Sequence, residues 1–206
     1  MTRWRTGRTG QAASLAVACL LHLAGCAQAQ GVDGDLYKSV EACQKVVKRH
    51  TILSEGTTQS TLQQLMETNS TMEGYLRQWG ARVVAGAPAG TDIADAILVC
   101  QQEYVKSAEA VRAKLEDKLR QSIVRQIAWY DEKIFSLFTD VLSDQGMAGV
   151  VQTVQSHLEP TLKQFDSEAV SGLKQSVKDL KPAYQTASKC IRDLSLQSDD
   201  FPERYE

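Results

Sequence analysis

Cys43, Cys100 and Cys190, together with His50 and His157, are the side chains best equipped for nucleophilic, redox or metal chemistry in this sequence. Their spacing works against all three. There is no Cys-x-x-Cys pair, and no thiol has a histidine and a carboxylate at local spacing to draw off its proton. Each histidine stands alone, so a metal site would need thiols or carboxylates gathered from several elements. The sequence has no phosphate loop, lipase-type nucleophile elbow or His-Glu-x-x-His motif. No pair of carboxylates is set apart by apolar neighbours, as glycosidase chemistry would need. The expectation is a protein that is not an enzyme and uses neither cofactor nor metal.

What remains for the cysteines is a crosslink. Cys100 and Cys190 lie equally far along the chain from a turn candidate at Ser143–Gly146, and both fall on apolar stripes. Two antiparallel helices joined at that turn would bring them level, which predicts a Cys100–Cys190 disulfide in an oxidising compartment. Cys43, early in the first helix, is expected near the same end of the bundle and is the rival partner for either cysteine. The alternative is three buried thiols acting as small hydrophobes.

Asn69-Ser70-Thr71 is an N-glycosylation sequon. Asn69 also falls in an apolar seam between Leu65 and Met72, where a lone polar residue can set register or partner choice. A glycan cannot occupy a packed seam. Asn69 is therefore expected to be buried or half-buried rather than glycosylated.

The N-terminal segment carries export signals. Arg3, Arg5 and Arg8 form a positive n-region, and Ala12 to Ala24 is mostly apolar. About 13 residues is too short to span a membrane and fits a signal h-region. Two processing sites follow. Leu23-Ala24-Gly25-Cys26 resembles the lipobox of bacterial lipoproteins, in which Cys26 would become the lipidated first residue. Ala27-Gln28-Ala29 resembles an ordinary small-x-small signal cleavage site. The second is favoured, giving a signal peptide over 1–29, a helical domain over 30–196 and a flexible acidic tail over 197–206. The resemblance covers the first 29 residues only. Localisation is then secreted or periplasmic, with a membrane-anchored lipoprotein as the alternative.

The elements that must position these residues are helical. Leu36, Val40, Cys43, Val47 and His50 recur at helical spacing, widened by Val46 and Leu53, with Gly56 expected to end the element. A second helix from Thr58 to about Ala85 carries Leu62, Leu65, Asn69, Met72, Leu76, Trp79 and Val83 on one side. Gly86-Ala-Pro-Ala-Gly90 breaks the chain. From about Asp92, one stripe runs through Ile97, Cys100, Tyr104, Leu115, Tyr130 and Val141. After the Ser143–Gly146 turn, another runs from Val151 through Phe165 and Leu180 to Leu194. Pro160 and Pro182 fall inside that last run and predict a kinked or briefly interrupted helix. No strand alternation competes. The expected fold is all-α: an elongated antiparallel helical bundle with a long C-terminal helical hairpin.

Charge excludes one class of partner. The chain carries a formal net charge of -2, and removing residues 1–29 takes away three arginines and no acid. Its most basic stretch, Lys45 to His50, reads as a solvated helix face, so nucleic acid is not an expected partner. The favoured function is a non-enzymatic structural or protein-binding role, through an unidentified protein partner or self-association. A carrier of a small apolar ligand or lipid is the second class, with Met66, Met72, Trp79, Trp129 and Phe138 as channel candidates. A membrane-active helical protein is the third, weakened by mixed charges along the helices. No transmembrane segment is expected in the mature chain, although Cys26 could supply a lipid anchor.

Overall fold

The computed structural model describes residues 34–88, 91–141 and 146–197. The signal segment with Cys26, most of the Ser143–Gly146 turn, and residues 198–206 of the expected tail lie outside them. The described residues form an all-α three-helix bundle: α1 (Gly34–Gly86), α2 (Ile93–Val141) and α3 (Gly146–Gln197), of 53, 49 and 52 residues.

One expectation about helix breaks is corrected. Gly56 does not end the first helix, because α1 runs through it. Gly56 is exposed, and a Cβ built there meets nothing within 4 Å, so its cost is only the backbone entropy of a helical glycine, about 1 kcal/mol. The seam continues on either side through polar residues: Ser54, Thr58 and Thr61 are buried. Leu53, expected to widen the apolar stripe, is exposed instead, and Ser54 occupies the interior position beside it.

At the prolines, α3 continues as the single helix expected, with no interruption. Pro160 and Pro182 are both exposed, as are Ser156 and Lys178 four residues earlier. On an exposed face of a helix, solvent can offset the backbone hydrogen bond that a proline removes. The break at Gly86–Gly90 is where expected. Around it, the Thr91 hydroxyl donates to the Pro88 carbonyl at 3.0 Å, and the Ala96 amide to Asp92 at 3.1 Å.

The chain packs as two compact units, and every helix contributes to both. The first comprises the described residues up to Thr57 with Leu119–Glu168. Its interior holds Cys43, Val47, His50, Leu119, Tyr130, Val154, Leu158 and Phe165. The second comprises Thr58–Lys118 and the described residues from Ala169. Its interior holds Leu65, Leu76, Val83, Ile97, Cys100, Tyr104, Leu115, Leu180 and Ile191. Nearly all were on the predicted stripes, since burial follows the 3.6-residue period.

Candidate functional site

The second unit is built around close helix approach and one covalent link. Gly80 is buried, and a Cβ there would lie 2.6 Å from Ile97 Cγ2 and 2.7 Å from Gln101 Nε2. Glycine thus lets α1 and α2 come close enough for Gln101 Nε2 to donate to the Leu76 carbonyl at 3.2 Å. Gly172 does the same for α3, where a Cβ would sit 2.8 Å from Leu115 Cδ1. Cys100 and Cys190 form a disulfide with Cα atoms 6.0 Å apart across 90 residues of sequence. The predicted pair is therefore the one that forms.

One turn along α2 from that link, Tyr104 is buried and meets Tyr184 edge to face, with ring centroids 6.2 Å apart. Its hydroxyl is interior and without a hydrogen-bond partner. Burial, with smaller contributions from the Glu73 charge and Tyr184, pushes its phenol up to about 12. Asn69 is half-buried, as the seam spacing predicts, and its Oδ1 lies inside without a partner.

Cys43 belongs to the other unit. It is buried beside Val47, Tyr130, Val154 and Leu158, with Val46 and Val151 at the margin. Its expected position near Cys100 and Cys190 is therefore corrected. Because α1 does not stop at Gly56, Cys43 packs with a different part of α2 and α3. Its thiol is free, and burial pushes it up to about 11, which keeps it protonated and unreactive at neutral pH.

His50 lies in the same layer. It is 6 % exposed, its ring meets Tyr130 edge-on at 5.5 Å, and its Nε2 is interior with no hydrogen-bond partner. Burial lowers its proton affinity below the ordinary histidine value, while the Asp166 charge and the Leu158 backbone act the other way. Burial also raises the Tyr130 phenol, with the Thr161 side chain opposing. Cys43 and His50 do not form a nucleophile–base pair, since seven residues along a helix put them about 10 Å apart. Around this layer, Thr57 Oγ1 donates to Asp166 at 2.9 Å and Ser122 Oγ to Glu168 at 2.7 Å. His157 is exposed, donates from Nδ1 to the Thr153 carbonyl at 2.9 Å, and faces Trp129 at 6.0 Å.

Among the described residues, no three His, Cys, Asp or Glu side chains are grouped so as to hold a metal, and no helix is long and apolar enough to cross a membrane. Of the residues considered for an apolar channel, the side chain of Phe138 lies outside the described residues. Met66 and Trp129 are exposed, Met72 and Trp79 are half-buried, and Trp129 lies in a different unit from the other three. The interior polar residues Ser54, Thr58, Thr61, Ser122 and Ser176 escaped the sequence reading, which followed apolar residues only. Their signal was spacing alone: His50, Ser54, Thr58, Thr61 and Leu65 are three or four residues apart.

Comparisons with known protein families, with curated proteins and with solved structures find no match for this chain.

Proposed function

We propose that this is an exported, non-enzymatic helical protein with a structural or protein-binding role. The observation that carries the reading is the use of the interior polar and sulfur groups. Gln101 reaches the α1 backbone, Ser122 joins α2 to Glu168 of α3, and Cys100 is bonded to Cys190. These groups fix one helix against another, which is what a scaffold needs and what a reaction centre does not. The disulfide supports passage through an oxidising compartment, in keeping with the export signal over 1–29 and favoured cleavage after Ala29.

The finer arrangement we infer is antiparallel packing of α2 against α3. In the second unit, Cys100, Tyr104, Lys114 and Leu115 meet Cys190, Tyr184, Asp179 and Gly172, so that one number rises as the other falls. In the first unit, Ser122 and Trp129 meet Glu168 and His157 in the same sense.

In-situ chemical crosslinking of the native protein through its exposed lysines, among them Lys45, Lys48 and Lys106, tests the role. A crosslink to a defined second polypeptide or to a second copy is expected. Failure to find one, with a stoichiometric lipid recovered by organic extraction, would replace this reading with that of a carrier.

A further inference from the structure

We propose that the first unit is an acid-sensitive element, in which His50 must be neutral for α1 to stay packed against α2 and α3. The geometry is specific. His50 is buried at 6 % exposure, its ring meets Tyr130 edge-on at 5.5 Å, and its Nε2 is interior with no hydrogen-bond partner. A neutral imidazole tolerates this surrounding, whereas an imidazolium there is a charge removed from water at a cost that outweighs the pull of Asp166 and the Leu158 backbone.

Among the described residues, the groups that act on it come from α2 and α3. From α2 comes the Tyr130 ring, whose phenol burial keeps uncharged at neutral pH. From α3 come the Leu158 backbone and the Asp166 carboxylate. Among the described residues Asp166 is the counter-charge acting on His50, but it is exposed and already accepts from Thr57, so solvent screens its pull.

The direction follows from linkage. An opened or unfolded His50 takes up its proton near the ordinary value of about 6.5, whereas the packed one does so only at lower pH. Above about 6.5 both forms are neutral and packing is at full strength. As pH falls below that value the open form binds the proton first, and stability drops until the folded value is passed. The second unit, crosslinked by Cys100–Cys190, contains no histidine among its described residues and lacks this response.

Amide hydrogen exchange on the full chain with its disulfide intact tests the proposal, at pH 7.5 and 5.0 with labelling times scaled for intrinsic exchange. Peptides covering 43–54 and 151–165 should lose protection by about tenfold for each pH unit between the ordinary and the folded histidine values. Peptides covering 97–108 and 180–191 should change little. The pH-dependent part of the loss should vanish in His50→Gln and in His50→Phe, whichever keeps its helicity at pH 7.5. An equal loss in both units, no loss, or a loss that persists in the folded variant would overturn it.

Discussion

Cys43 and Asn69 are both seam residues, and their interiors have opposite consequences. A thiol is nearly apolar, so Cys43 gains from burial, and its raised proton affinity removes the nucleophilic thiolate. In the protein lacking residues 1–29, Cys43 should react with a maleimide at least a hundredfold more slowly at pH 7.5 than in urea, without reductant. Equal rates would place the thiol on the surface. Asn69, in contrast, holds a carbonyl oxygen inside without a donor, a cost of about 1–3 kcal/mol. Asn69→Leu should therefore leave stability unchanged or raise it by up to about 2 kcal/mol in denaturant unfolding. A loss above 1 kcal/mol would mean that the amide is paired and stabilising. The sequence identified both positions by spacing, but it could not tell a paired polar group from an unpaired one. That distinction depends on atoms contributed by other helices.

At the level of the helices, glycine gives the sharpest contrast. Gly56 and Gly80 are both helical positions in α1, yet one faces open space and the other lies against α2. Gly56→Ala should stabilise the protein by about 0.5–1 kcal/mol, by removing unfolded-chain entropy and improving helix propensity. Gly80→Ala should destabilise it by about 1–3 kcal/mol, because the new methyl would overlap the branched Ile97 side chain. Paired thermal or urea melts of the two variants measure the difference, and equal signs would refute the close approach. The same contrast explains what was legible beforehand. Helical class and most interior positions on all three helices could be read, because a 3.6-residue period survives translation from sequence to structure. The uninterrupted passage through Gly56 could not, whereas the apolar phase surviving Pro160 and Pro182 did indicate one helix. Whether glycine or proline breaks a helix depends on which face it occupies and on the solvent that face meets. The polar run from Ser54 to Thr61 looked like a boundary because its interior members are serine and threonine.

For the whole molecule, the Cys100–Cys190 bond is the feature that joins sequence, fold and proposed role. It closes a sequence separation of 90 residues and adds about 2–4 kcal/mol, largely by restricting the unfolded chain. That pair was legible because the expected turn at Ser143–Gly146 lies midway between two cysteines that both fall on apolar stripes. Its unlinked neighbour Cys43 was misplaced because one supposed break in α1 altered which part of α2 and α3 it would meet. Function was far less legible: the proposed scaffold role would leave no motif, since its contacts would be distributed along the helices. The central claim is that the exported chain works through contact with another polypeptide rather than by carrying a small molecule or catalysing a reaction. Native mass spectrometry of protein recovered from its own compartment, without detergent or reductant, tests it most directly. The account predicts a chain beginning at Gln30, with the Cys100–Cys190 link intact, in a complex whose mass is made up of whole polypeptides. A lone chain bearing a stoichiometric apolar adduct would contradict it.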